Sequence, residues 1–240
     1  MGNKKNFIDE KEYFIDMLSK IGVVLNDVII DNLLCYMNLL YEKNKVMNLT
    51  AIREKKDILE KHFIDSLFLM DLIDDNDYDF IDVGTGAGFP GLVLAIVYPD
   101  KNFLLVDSVR KKVEFLEEVI KELRLKNVRT SFERAEELIK NNREYFDVAL
   151  CRGVAKLNII LEYMIPFLKV NGRFLAQKLT TDEIEISRKA LEILKSEIVE
   201  IHKFKLPTIK DDRIIIEIIK TKKTDIKYPR KTGVPTKNPL

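Results

Sequence analysis

The sequence is poor in the residues that bind metals or cross-link chains: Cys35 and Cys151 are its two cysteines, His62 and His202 its two histidines, in 240 residues. No two of them are neighbours and no C-x-x-C occurs, which argues against a structural zinc site or disulfide framework and for a reducing, cytoplasmic setting. An excess of one charge is also missing, with 40 Lys and Arg against 39 Asp and Glu. Contact with a polyanion such as RNA is not excluded, but it has to come from local patches instead of a global field. No window reaches 18 uninterrupted apolar residues, so no membrane span is expected. The opening Met1-Gly2-Asn3-Lys4-Lys5-Asn6 has neither the apolar run of a secretory leader nor the Ser or Thr at position 6 that myristoylation wants. Apolar residues, by contrast, make up 46% of the chain, enough for the core of one α/β domain with an extension.

Residues 1–73 read as a helical extension. Phe7, Phe14, Leu18 and Ile21, then Val28, Ile29, Leu33, Leu34, Met37, Leu40 and Tyr41, recur at three-to-four spacing. Gly22 divides the first two helices, Asn44 to Ala51 interrupts the pattern, and Thr50 or a neighbour is expected to cap a helix from about Glu54 to Ile73. His62 on that helix is a candidate substrate contact, although a helix histidine is more often simply packed. Asp74-Asp75-Asn76-Asp77 reads as a solvated acidic linker, because it lacks the Gly and Glu spacing of a calcium hand.

Within fifteen residues, Tyr78 to Leu92, the pattern then changes from buried strand to glycine loop to helix. Phe80, Ile81 and Val83, broken only by Asp82, suit a parallel strand buried on both faces. Gly84, Gly86 and Gly88 let the backbone turn sharply and approach a ligand, and Pro90 suits the start of a helix. Gly86 to Gly91 matches G-x-G-x-x-G, with Asp107 following 21 residues after Gly86, so a dinucleotide-dependent oxidoreductase is a competing reading. The register is against it: Gly84-Thr85 intervenes, and Asp82 stands just before the loop. A pyrophosphate gains nothing from that carboxylate, whereas a ligand with an ammonium and a sulfonium, such as S-adenosylmethionine, does.

Strands and helices alternate from there. Strands are expected at Phe103–Asp107, Val128–Phe132, Phe146–Cys151 and Arg173–Leu179, with helices from Arg110 to Leu123, after Arg134, from Lys156 to Leu168 and from Glu183 to Lys195. Val199–Phe204 and Arg213–Lys220 are too closely joined for a crossover and should pair antiparallel at the sheet's edge. A mostly parallel seven-stranded, Rossmann-like sheet over residues 74–220 with that ending is similar to the class I S-adenosylmethionine-dependent methyltransferase fold.

Asp107, ending the second strand, can accept both ribose hydroxyls of an adenosine or merely cap the next helix. Ala135 and Glu136 follow the third strand, where an adenine would lie; the acid also suits a helix's first turn. Arg152, after the fourth strand, can hold phosphate, a base edge or the cofactor. Lys178, near the end of the fifth, faces the same crevice and can contact RNA or remain solvated. The Asp/Asn-Pro-Pro-aromatic motif of amine methylation and the Pro-Cys of cytosine C5 methylation are both absent at the fourth strand, and Cys151 reads as a buried strand residue. From Lys220 onward there are seven Lys or Arg against one acid, with three prolines. Residues 221–240 therefore read as a basic tail, a flexible arm for a polyanion.

Several pieces, in order, resemble the bacterial small-subunit ribosomal RNA guanine-N7 methyltransferases called RsmG or GidB. They are Met47-Asn48-Leu49-Thr50, His62-Phe63-Ile64-Asp65-Ser66, Asp82 through Gly91, Val106-Asp107-Ser108, Arg134-Ala135-Glu136 and Arg152-Gly153-Val154-Ala155, with the tail Lys227 to Pro235. The resemblance implies that Gly84, Phe89, Ala135, Glu136 and Arg152 line an S-adenosylmethionine site, to which the physical argument adds Asp82, Gly86, Gly88 and Asp107. It implies 16S ribosomal RNA or the small ribosomal subunit as partner and no metal. Gly153 departs from the alanine usual there. Guanine N7 carries a lone pair and no proton, so its methylation needs no general base; Arg152 and Lys178 are then expected to position substrate, not to move protons. A non-catalytic cofactor-binding RNA or ribosome-assembly module is the alternative.

Overall fold

A computed structural model describes the backbone of residues 3–240 and the side chains from Glu10 onward; Met1, Gly2 and the Phe7 side chain lie outside the described residues. Alternation along the strands builds two cores. In β1 (Asp79–Val83), Phe80 points to one face of the sheet and Ile81 and Val83 to the other. In β2 (Asn102–Val106), Phe103 and Leu105 share the first face and Leu104 and Val106 the second. A sheet covered on both sides needs such apolar runs, and β1 and β2 pair in parallel as they imply.

The sheet has seven strands in the order β3-β2-β1-β4-β5-β7-β6. Besides β1 and β2 they are β3 (Val128–Ser131), β4 (Phe146–Arg152), β5 (Leu168–Lys178), β6 (Ser196–Lys205) and β7 (Asp212–Lys220). The first five run parallel; β7 lies antiparallel between β5 and β6. This is the expected sheet with its terminal antiparallel pair. The first face is covered by α1 (Asn3–Lys20), α2 (Asp27–Met47), residues 55–72, α5 (Gly91–Val97) and α6 (Arg110–Glu122). The second face is covered by α7 (Ala135–Asn142), α8 (Leu157–Met164) and α9 (Ile184–Leu194).

Four local expectations are corrected. The helix expected at 54–73 is composite: α3 (Lys55–Ile58) enters a π-helical turn (Leu59–Ile64), then α4 (Asp65–Leu67) and a 3-10 turn (Phe68–Leu72). Thr50 does not cap it; Glu54 stands at its start without a side-chain bond. The helix expected to reach Leu168 stops at Met164, because Pro166 has no N–H to continue it, and Leu168 already belongs to β5. Residues 74–77 are only in part the solvated linker expected: Asp74, Asp75 and Asn76 are exposed, but the segment is pinned to the fold. Asp77 is buried and accepts from Asp74 N–H and Arg173, while Lys101 Nζ donates to the carbonyls of Asp74, Asp75 and Asp77.

The largest difference is in residues 221–240. Instead of a free arm they fold back along the second face: Thr224, Tyr228 and Pro235 are buried, and the segment ends in α10 (Val234–Lys237). The tail's composition suggested solvent because its charges were counted without partners. Arg230 makes a two-pronged pair with Glu162 of α8, a carboxylate with 0% exposure.

Candidate functional site

After β1 the chain turns at Gly84, Gly86 and Gly88, with φ of +76°, +63° and +107°. At Gly88 a Cβ would lie 2.5 Å from the Tyr36 hydroxyl, and at Gly84 it would run into the Val154 side chain. Asp82 holds this loop from beneath. Its Oδ2 accepts from Gly91 N–H at 2.8 Å while Oδ1 has no partner, and it is 1% exposed. Burial pushes its carboxyl up to about 7, against the opposing pull of the Thr85 hydroxyl, Gly91 N–H and Arg152. Asp82 lines neither cavity described below; in this structure it shapes the loop.

Two cavities open at the carboxyl ends of the strands, the ligand crevice of open α/β sheets. One, of about 490 Å³, is lined by Gly84, Asp107, Ala135, Glu136, Tyr163 and Thr236 among others. The second, of about 570 Å³, is lined by His62, Arg152, Gln177, Lys178, Glu183 and Arg213 among others. Gly153, Val154 and Ala155 belong to both walls. The loop after β4 is therefore the partition between them.

The first cavity suits the cofactor expected from the sequence. Its volume is within the usual range for small-molecule sites, and it sets the Asp107 and Glu136 carboxylates beside the apolar Ile159 and Ile160. Those carboxylate acceptors and apolar walls fit a ligand with vicinal hydroxyls, a flat base and positive charge. Asp107 is also structural: Oδ2 accepts from Gly86 N–H at 3.0 Å and Oδ1 from Val109 N–H at 2.9 Å, with Lys112 Nζ 3.3 Å away. Oδ1, with one donor, keeps a lone pair for a ligand, and Oδ2 can take a ligand hydroxyl in place of the longer Lys112 contact. Gly86 and Gly88 belong to the supporting loop, not to the lining of either cavity.

Arg152 is fixed by its neighbours. It donates to Asp65 Oδ2 at 2.8 Å, to the Lys61 carbonyl at 3.1 Å and to His62 Nδ1 at 2.8 Å. A guanidinium only donates, so Nδ1 accepts and the proton of neutral His62 sits on Nε2, which gives it to Thr50 Oγ1 at 2.7 Å. Burial and the adjacent Arg152 charge lower His62 to about 3. Phe89 lies beneath this group, its ring 4.5 Å from His62 and 5.1 Å from the guanidinium carbon, buried and lining neither cavity. Lys178 donates to the Ala155 carbonyl and to Glu183, so it steadies the partition from the second cavity's side. Burial pushes the Cys151 thiol up to about 12, and no thiolate nucleophile is available there.

The structure thus brings Gly84, Asp107, Ala135 and Glu136 to one cavity and Arg152 and Lys178 to the other, with Asp82, Gly86, Gly88 and Phe89 as support. Sequence reasoning missed Asp65, Glu183, Val154, Tyr163 and Thr236. Asp65 and Val154 stood within stretches that resemble the family, and that, with the three-residue spacing of His62 and Asp65, was the signal that could have found them. Among the described residues, Glu200, His202 and Glu217 bring potential metal-ligating atoms within 4.8 Å of one another on β6 and β7, with Arg173 3.0 Å from Glu217.

Comparison with known proteins gives the site its context. The family described as GidB, rRNA small subunit methyltransferase G, matches residues 29–214. The chain belongs to the GidB family. A ribosomal RNA small subunit methyltransferase G from Fusobacterium nucleatum is 57% identical over 231 residues, covering 96% of this chain and 100% of that protein. One from Acetivibrio thermocellus is 46% identical over 241 residues, covering 97% and 100%. Among solved structures, TYW2 of M. jannaschii in complex with AdoMet aligns with a TM-score of 0.54 and 17% identity, over 65% of this chain and 75% of that one. At that identity the likeness speaks for the fold alone, a class I methyltransferase fold. GidB membership accounts for the cofactor, S-adenosylmethionine, and for enzymatic methyl transfer.

Proposed function

We propose that this protein methylates N7 of a guanine in 16S ribosomal RNA, as naked RNA or within the small ribosomal subunit, in the cytoplasm. The observation that carries this reading is the pair of adjoining cavities divided only by Gly153–Ala155, in a chain of the GidB family. In the first, Asp107 and Glu136 would hold the ribose and adenine portions of S-adenosylmethionine, whose sulfonium supplies the methyl group. In the second, Arg152, Lys178 and Arg213 offer positive charge and donors for an RNA base and its phosphate.

The groups nearest the partition agree with an acceptor that has no proton to lose. His62 has its Nδ1 lone pair taken by Arg152, and Cys151 keeps its proton. Neither can act as a base, and attack by N7 requires none. Rate enhancement then rests on orientation: the Arg152–Asp65–His62 group and the Lys178–Glu183 pair fix the partition loop from two sides. We further propose a division of labour in which residues 74–220, joined by Thr236, hold the cofactor and the segment before residue 74 shapes the acceptor side through Ile52, Lys61, His62 and Asp65. No helix among the described residues is long and apolar enough to cross a membrane.

The test is transfer of labelled methyl to small ribosomal subunits, and to naked 16S RNA, from cells lacking this protein. Label recovered as 7-methylguanosine is the expected result. Cofactor binding with no transfer to either substrate would favour a non-catalytic binding module.

A further inference from the structure

The cofactor cavity has one wall that neither the glycine loop nor the strand ends supply. Thr236, within α10, lines it beside Glu136 and Tyr163, and it arrives there from a segment more than seventy residues later in the chain. Gly233 N–H points to Glu136 Oε1 at 3.4 Å, and the Tyr163 hydroxyl lies 3.4 Å from Thr236 Oγ1. The C-terminal segment thus touches two residues that line the cavity, Glu136 of α7 after β3 and Tyr163 of α8 after β4.

What holds the segment there is unusually strong for so polar a stretch. Glu162 is fully buried, and Arg230 reaches it from its backbone N–H at 2.7 Å, from Nε at 2.9 and 3.1 Å and from Nη2 at 2.6 Å. The same guanidinium donates to the Asn238 carbonyl at 2.8 Å, closing the segment on itself around Gly233 to Lys237. Arg143 donates to the Tyr228 carbonyl, and Thr224 Oγ1 to the Leu194 carbonyl at 3.1 Å. A carboxylate buried in α8 without Arg230 would be an uncompensated charge, so the helix is built around the returning segment. The contacts with Glu136 and Thr236 are long by comparison. The anchor is tight and the part over the cavity is loosely tied, as a wall that must yield to a ligand should be.

We propose that residues 230–238 form a strap that completes the adenosine end of the cofactor pocket, with Arg230–Glu162 as its anchor and Thr236 as a cofactor-positioning residue. Because the strap and the ligand share Glu136 and Tyr163, each stabilises the other's bound arrangement to the same extent. This rests on the reading that the first cavity holds S-adenosylmethionine.

The experiment compares wild type, Thr236→Trp, Arg230→Ala and a chain ending at residue 230, using S-adenosylhomocysteine as the probe. Calorimetry gives the dissociation constant, and hydrogen exchange of the amides at 233–238 is followed with and without probe. The expected result is affinity lowered at least tenfold by Thr236→Trp and by the truncation, less by Arg230→Ala, with probe slowing exchange at 233–238 in the wild type. The exchange measurement needs no variant, so misfolding of the truncated chain does not blunt it. Wild-type binding with unchanged exchange at 233–238 and the same affinity in Thr236→Trp overturns the strap. Failure of the wild type to bind the probe overturns the cofactor reading itself, and the strap with it.

Discussion

At the scale of single residues, the site separates groups that meet ligands from groups that prepare the ground. Asp107 does both. Asp107→Ala is expected to weaken S-adenosylhomocysteine binding by about 1.5–3 kcal/mol, or roughly tenfold to a hundredfold. The protein should stay folded, because Gly86 and Val109, whose N–H groups it accepts, are partly exposed and water can replace it. Calorimetry on the folded variant checks this; an unchanged affinity would remove Asp107 from the ribose. Asp82 and His62 make a different prediction, because their pH dependences oppose. His62 is lowered from 6.5 to about 3, so the unfolded chain binds a proton that the folded one refuses; stability present above 6.5 is lost as pH falls toward 3. Asp82 is raised from 3.8 to about 7, so the folded chain keeps a proton the unfolded one has released; stability present below 3.8 is lost as pH rises through 7. Between these limits the slopes, about 1.4 kcal/mol per pH unit each, largely cancel. Asp82→Asn keeps an acceptor for Gly91 N–H. It should stabilise the protein at pH 8 by on the order of 2–4 kcal/mol, have little effect at pH 3.5, and leave the His62 slope uncovered between. Urea unfolding at pH 3.5, 5.5 and 8 measures this, and equal shifts at all three would show that Asp82 does not titrate as described.

At the scale of elements, the irregular helix over residues 55–72 organises the acceptor side. Glu60 in its π-helical turn is 1% exposed, and its Oε1 accepts from Thr208 N–H at 2.6 Å and Ile209 N–H at 3.0 Å, tying the turn to the loop between β6 and β7. Glu60→Ala removes the carboxylate that ties both amides to the turn; Thr208 is exposed, so water can take up its N–H, and the loss should be about 1–2 kcal/mol of stability, Glu60→Gln distinctly less. If the two variants unfold at the same denaturant concentration, the tie is not what matters. This element also shows where sequence reading stops. Strands, glycine loop and crossover helices were legible because apolar runs, alternation and Gly or Pro act over a few residues, and every strand expected from them is present within a few residues. The π-helical turn was not legible: its bonding partners, Arg152, Thr208 and Ile209, are distant in the chain, and the periodicity of Phe63 and Leu67 reads as an ordinary helix. The bond Asp82 makes was out of reach for a related reason. The residue's place before the loop was readable, but only packing shows that it is 1% exposed and that its Oδ2 accepts from Gly91 N–H.

At the scale of the whole molecule, the segment before residue 74 and the sheet share one core. Phe14, Tyr36, Met37, Phe63 and Leu67 are buried against Phe80, Leu92 and Phe115 of the sheet and its helices. Tyr36 donates to the Ala87 carbonyl inside the glycine loop. A fragment of residues 74–240 would expose this face, and it is expected to be insoluble or to lack fixed tertiary structure. Near-ultraviolet circular dichroism and S-adenosylhomocysteine binding on the fragment test this, and a folded, cofactor-binding fragment would establish the two parts as independent. The tail is the converse lesson. Its composition was read correctly as basic and proline-rich, but the partner that folds it, Glu162, lies in another helix and carries no mark of that role in the sequence. The strand order has a further consequence for synthesis. β7 is made after β5 and β6 yet lies between them, so a nascent chain stopped before residue 212 presents the edge of β5 bare and leaves β6 without its neighbour. Premature termination in that interval yields fragments primed to pair with one another instead of chains that are merely shorter.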